Sequence, residues 1–170
     1  MIRLETSMGT IDIELDHTNT PNTAKNFLRY VEEGFYDNTL FHRVINDFMI
    51  QGGGFDADMQ QKDTHDPIEN EAEHGEQNTR GTLAMARTMA PHSASSQFFI
   101  NVKDNAFLNF QSKDPQGYGY CVFGKVIAGM DIVDQIKVVE TTSRNGHQDV
   151  PAEPVMINKA TAVNETVSAD

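Results

Sequence analysis

The chain has 170 residues, 38% of them hydrophobic and 22% charged, which suits one globular domain with a substantial core. A net charge of −12 argues against non-specific binding to nucleic acid or to an anionic membrane, since both reward a basic face. The single cysteine, Cys121, excludes an internal disulfide and reads as a small buried hydrophobe rather than a nucleophile.

The opening Met1-Ile2-Arg3-Leu4-Glu5-Thr6 shows no basic segment leading into a long apolar run, and no run approaches the ~18 residues of a membrane span. The expectation is a cytoplasmic, monomeric domain over residues 1–165, followed by a short polar tail, 166–170. Residues 2–6 and 10–15 predict a hairpin turning at Ser7-Met8-Gly9, with Ile11, Ile13 and Leu15 alternating against Asp12 and Glu14. A helix follows, with Thr20 as N-cap, Pro21 in its first turn, Ala24, Phe27, Leu28 and Val31 at helical spacing, and Gly34 as its stop.

Residues 41–45 and 48–51 predict two strands around a turn at Asn46-Asp47, and Arg43 lies inside the first of these apolar runs. Such an arginine must find a partner or face a cleft, because burying an unpaired charge is costly. Gly52-Gly53-Gly54 follows and predicts a flexible exit; without a following Lys-Ser/Thr it is no phosphate loop. The polar segment 55–80 has no sustained period and carries Asp63, His65, Asp66, Glu69, Glu71, Glu73 and His74. Their spacing matches no familiar metal-ligand pattern, so no metal is expected.

Strands are predicted at 82–86 and 97–102, around a loop containing His92, Ser93, Ser95 and Ser96. No strand–elbow–helix signature surrounds these serines, so they do not read as nucleophiles. The loop 105–119 embeds Phe107, Leu108 and Phe110 in polar sequence, either as a binding wall or as a small satellite core. A strand at 120–126, a helix at 130–137, a loop over 139–154 and a last strand at 155–163 complete the chain. About eight strands joined by hairpins and loops favour an antiparallel barrel, which leaves no exposed edge.

These blocks resemble the cyclophilins, a family of peptidyl-prolyl cis-trans isomerases, and are most similar to the bacterial cytosolic branch. The resemblance rests on Asn26-Phe27, on Phe41-His42-Arg43-Val44-Ile45 with Phe48-Met49-Ile50-Gln51-Gly52-Gly53, and on the run from Asn78 to Ala86. It continues through Ser96-Gln97-Phe98-Phe99-Ile100 and Val122-Phe123-Gly124-Lys125-Val126 with Gly129-Met130, spanning about residues 2–163 in order. It implies a mainly β fold, a closed eight-stranded antiparallel β-barrel capped by two α-helices, and an isomerase that needs no cofactor. Carried over position by position, Arg43 matches the catalytic arginine, with Gln51 beside it. Phe48, Met49, Phe99 and Leu108 match the proline pocket, Gln97 a polar group at the substrate backbone, and Ala86 and Arg87 the edge of the peptide groove. Phe107 stands where many members have tryptophan and Tyr120 where they have histidine. The implied partners are proline-containing peptides and unfolded or folding proteins, and cyclosporin with weakened affinity because Phe107 replaces the tryptophan. The rival readings are a proline-binding module without catalysis and a metal-dependent hydrolase built on the acidic 63–74 segment. Strict alternation puts Phe48 and Met49 on opposite faces, so their sharing one pocket predicts a turn or bulge near Asn46-Asp47.

Overall fold

The computed structural model describes residues 1–163; the predicted polar tail, 166–170, lies outside them. Ten strands and two α-helices follow in order: β1 (Ile2–Thr6), β2 (Gly9–Leu15), α1 (Pro21–Glu32), β3 (Thr39–Ile45), β4 (Met49–Asp56), β5 (Thr82–Met85), β6 (Phe98–Asn101), β7 (Val122–Ala128), α2 (Met130–Lys137), β8 (Thr141–Arg144), β9 (His147–Pro151) and β10 (Met156–Ala162). Eight of the strands close a barrel in the order β1-β10-β3-β4-β6-β5-β7-β2, every neighbouring pair antiparallel. The chain is mainly β, as its strand pattern predicts. None of the described helices is long and apolar enough to cross a membrane.

Alternation fills the barrel. Ile2, Leu4, Ile11, Ile13, Ile50, Leu83, Phe98, Ile100 and Ile157 all point inward with exposures of 2% or less. Helix α1 closes one end by laying Phe27 among aromatic rings, 5.0 Å from Tyr36, 5.3 Å edge-on from Phe98 and 5.0 Å from Phe123. Its C-terminus is a Schellman turn: Gly34 takes a φ of +72° and donates to Val31 O, while Phe35 donates to Tyr30 O. The N-terminus departs from expectation. Thr20 holds the N-cap position, but its hydroxyl donates back to Asp16 O; the cap is Glu71, whose Oε1 accepts from the Thr23 amide at 2.7 Å and the Thr23 hydroxyl at 2.6 Å. A carboxylate 48 residues away thus does the work of a local N-cap side chain.

Two further readings are corrected. The 139–154 segment is a small hairpin, β8–β9, turning at Asn145 and Gly146 with φ of 50° and 81°. The glycine run is no flexible exit: Gly52, Gly53 and Gly54 lie inside β4 and are buried. Between the pairs Thr39↔Asp56 and Phe41↔Gly52, β4 spends four steps where β3 spends two, so the glycines absorb a wide bend. A Cβ on Gly52 would come within 2.8 Å of Leu40 O, and one on Gly53, at φ +88°, within 2.8 Å of the Tyr36 ring.

Candidate active site

The same alternation that fills the barrel builds a second apolar surface on its outside. Along β4, β6 and β5, Ile50, Phe98, Ile100, Leu83 and Met85 enter the main core, while Met49, Phe99 and Ala84 turn outward and cluster with Leu108 and Val122. Phe48 is half-buried in the turn that precedes β4, where Asp47 adopts φ +66° and the Phe48 amide donates to Ile45 O at 3.2 Å. That turn brings Phe48 to the same recess as Met49, the arrangement that the family resemblance implies and strict alternation does not. Phe48, Met49, Phe99, Leu108 and Tyr120 then line a recess of about 150 Å3, completed by Arg43, Gln51, Ala86 and Arg87.

Arg43 reaches this recess because of a bulge. In β3, Phe41 pairs with Gly52 and Arg43 with Gln51, so two steps on β3 oppose one on β4 and His42 is the extra residue. Regular alternation would send Arg43 inward with Phe41, which is in the core. The bulge flips it to the exposed outer face, and Val44 resumes core packing beyond it. His42 turns into a separate niche instead, 4.3 Å from the Phe55 ring and 6.5 Å from His147. Its Nδ1 has no partner, and burial, aided by the nearby His147 and Arg43, lowers its pKa to about 4.

A chain of amides orients the guanidinium. Gln51 Nε2 donates to Gln97 Oε1 at 3.0 Å, which turns Gln51 Oε1 toward Arg43; the Arg43 Nη1 donates to it at 3.4 Å, a long bond. Gln97 fits here because residue 54 is glycine, since a Cβ there would collide with the Gln97 side chain. At the opposite rim, Arg87 donates from Nε to Gly119 O at 3.0 Å and from Nη1 to Thr88 O at 2.9 Å, with its guanidinium 4.6 Å from the Tyr120 ring centre. Phe107 is 68% exposed and stacks on Phe48 at 5.7 Å, forming the outer wall.

The residues singled out from the sequence, Arg43, Phe48, Met49, Gln51, Ala86, Arg87, Phe99, Leu108 and Tyr120, all meet in the recess, with Gln97 behind Gln51 and Phe107 at the rim. The 105–119 segment divides between its two readings, because Leu108 joins the floor while Phe110 packs on Tyr118 at 5.4 Å. A buried asparagine network escaped the sequence reading. Asn105 donates to Phe48 O at 2.9 Å and to Asn101 Oδ1 at 2.8 Å; Asn101 donates to Asn78 Oδ1 and Thr82 Oγ1, each at 3.0 Å. Asn78 in turn donates to Leu108 O at 3.3 Å and Tyr120 O at 3.2 Å. Three wall residues are therefore held through their backbones by one polar cluster. Its sequence signal was Asn101 in the otherwise apolar run Phe98-Phe99-Ile100-Asn101-Val102.

A second recess of about 240 Å3 adjoins the first, sharing Gln51, Ala86 and Arg87 and lined beyond them by Gln61, Thr88, Ser93, Ser95 and Gln97. Two larger hollows, about 310 and 520 Å3, lie beside Glu14–Thr18 and beside Ala152–Val155 and contain none of the predicted residues. Three of the 63–74 side chains are taken up by structural partners: His65 lies 2.7 Å from Glu33, Glu73 3.2 Å from Lys113, and Glu71 caps α1. No three His, Cys, Asp or Glu side chains converge among the described residues. Cys121 is buried and its thiol is pushed up to about 12, chiefly by that burial, so no thiolate nucleophile is available near neutral pH.

Comparison with known proteins gives a consistent picture. Residues 1–162 match the family described as cyclophilin type peptidyl-prolyl cis-trans isomerase/CLD. The chain is 61% identical over 159 residues to peptidyl-prolyl cis-trans isomerase cyp18 of Streptomyces antibioticus, covering 94% of this chain and 96% of that protein. It is 60% identical over 161 residues to peptidyl-prolyl cis-trans isomerase B of Escherichia coli strain K12, covering 95% and 98%. A crystal structure of a Cryptosporidium parvum cyclophilin type peptidyl-prolyl cis-trans isomerase, in the presence of the dipeptide Ala-Pro, superposes with a TM-score of 0.78 at 26% identity, covering 96% of this chain and 98% of that one.

Proposed function

The chain belongs to the cyclophilin-type peptidyl-prolyl cis-trans isomerases, and from that premise we propose that it rotates X-Pro bonds in peptides and folding chains, with Arg43 as the catalytic residue of the outer recess. The observation that carries this reading is the placement of the Arg43 guanidinium, bonded to Gln51, beside an apolar pocket walled by Phe48, Met49, Phe99 and Leu108. Rotation about an X-Pro amide breaks no covalent bond. The barrier of about 18–20 kcal/mol is the lost amide resonance, and at 20 kcal/mol it allows a rate near ~0.01 per second. A turnover of even ~10 per second requires lowering it by ~4 kcal/mol.

Twisting the bond pyramidalises the prolyl nitrogen and leaves it a lone pair. A hydrogen bond from Arg43 to that lone pair exists only in the twisted state, so it accelerates rotation rather than merely tightening substrate binding. A charge-assisted bond of roughly 1.5–3 kcal/mol supplies about half of what is needed. The pocket holds the proline ring still while the preceding carbonyl swings, and the Gln97–Gln51 chain keeps the guanidinium plane aimed. In the cytoplasm, proline-containing segments of unfolded and folding proteins are the natural substrates of such a groove.

The decisive variant is Arg43→Ala, assayed on an Ala-Pro peptide by protease-coupled isomerisation or NMR exchange. Loss of 1.5–3 kcal/mol lowers kcat/KM by roughly 10- to 150-fold. Because Arg43 is exposed and not in the core, the melting temperature should stay within a few degrees of wild type. Near-wild-type turnover would remove Arg43 from the mechanism, whereas a wild type without turnover would leave a proline-binding module in place of an enzyme.

A further inference from the structure

The charges in the groove run against those of the whole chain. Across 170 residues there are 25 acidic and 13 basic side chains, yet neither recess is lined by an aspartate or glutamate. Two arginines stand there instead, Arg43 and Arg87. Seven other cationic side chains, Arg3, Arg29, Arg80, Lys103, Lys113, Lys125 and Lys137, each lie within 4 Å of a carboxylate. Among the described residues neither groove arginine does so, nor do Lys25, Lys62, Arg144 and Lys159, although carboxylates outnumber cations almost two to one.

Arg87 lies on the rim common to both recesses. Its Nε and Nη1 are spent on backbone carbonyls and its plane rests on Tyr120, so the side chain is held in place with Nη2 uncommitted. Gln51 is likewise shared by the two recesses and bonds to Arg43. With a proline ring in the first recess and its nitrogen under Arg43, Gln51 marks the passage into the second recess. A peptide whose residues before the proline take that passage crosses the Arg87 rim, and the other walls it meets are amides, hydroxyls and a methyl group.

We propose that Arg87 is a specificity-determining residue, giving this isomerase a preference for substrates with a carboxylate side chain in the two residues preceding the proline. This rests on the isomerase reading of the site. The local charges favour the contact: on a molecule of net charge −12, this groove holds two arginines and no acid to repel a carboxylate.

The test compares N-acetylated peptides Glu-Ala-Pro-Phe and Gln-Ala-Pro-Phe, which differ by one charge at nearly constant shape, as substrates of wild type and Arg87→Gln. At about 10 mM ionic strength, where the screening length is about 30 Å, wild type should favour the glutamate peptide by at least about threefold in kcat/KM. At 1 M salt the screening length is about 3 Å and the ratio should approach one. In Arg87→Gln it should be near one at both salts, and being a ratio it does not depend on how much of the variant folds or on its absolute activity. A wild-type ratio near one at low salt overturns the proposal, as does an undiminished ratio in Arg87→Gln. Absence of turnover on both peptides would instead overturn the isomerase reading beneath it.

Discussion

His42 and Arg43 are neighbours in β3 that meet opposite environments, and the bulge between Phe41 and Arg43 decides both. Arg43 gains the outer face; His42 is left 5% exposed with an unpartnered nitrogen and a pKa lowered from 6.5 to about 4. The sign of the consequence follows from proton counting. Between pH 6.5 and 4 the unfolded chain binds a proton at His42 that the folded chain refuses, so stability falls as pH drops through this window. With the folded value held down to about 4, the loss between pH 7.5 and 4.5 is on the order of 2–3 kcal/mol. Urea unfolding at the two pH values should show a drop larger by this amount in wild type than in His42→Gln, which cannot titrate. Equal drops would show that His42 does not set the acid limit. Nothing in the local sequence announces this pair: an arginine in an apolar strand could be read, but the bulge that turns it outward depends on β4 and its glycines.

At the level of elements, the parts that were legible in the sequence are those governed by local pattern. Short apolar runs, with period-2 alternation in β2, located the strands of the barrel, and helical spacing with Pro21 and Gly34 located α1. What it could not locate comes from partners distant along the chain. Glu71 caps α1 from 48 residues away, and an isolated glutamate in a polar loop carries no mark of that role. The β8–β9 hairpin was missed because Thr141–Arg144 is largely exposed and lacks alternating apolar residues; Asn145-Gly146, the strongest short hairpin signal, was there to be read. The asparagine network is the most consequential of these long-range features, since it ties β6 and the 46–48 turn to the backbone of Leu108 and Tyr120. Asn101→Ala would remove its two donor bonds and the acceptor for Asn105, leaving buried polar atoms unpaired at about 1–3 kcal/mol each. The expected outcome is a stability loss of about 3 kcal/mol together with a raised KM, because Phe48 and Leu108 lose their anchor, while kcat, which the proposed mechanism assigns to Arg43, changes less. A fall confined to kcat would assign the network to the guanidinium instead of to the wall.

For the molecule as a whole, the core and the proposed site use opposite faces of the same strands. The interior of the barrel is sealed by its two ends, β1 pairing with β10 from Ile2↔Ala162 onward, so closure depends on contacts spanning nearly the whole chain. The site sits outside, on residues of β4, β6 and β5 whose neighbours in sequence face inward. If the two faces are energetically separate, a cavity made deep in the barrel and far from the recess should weaken the fold without altering the chemistry. Ile157 is the test position, fully buried in β10 and absent from both recesses. Ile157→Ala should cost about 2–5 kcal/mol, the usual range for emptying a large aliphatic site, and lower the urea midpoint accordingly. Measured in the absence of urea, where the variant remains folded, its kcat/KM on an Ala-Pro peptide should stay within about twofold of wild type. A tenfold fall in kcat/KM at full foldedness would mean that the barrel interior helps aim Arg43, through the pairing of Ile157 with Thr39 on the strand that carries Arg43.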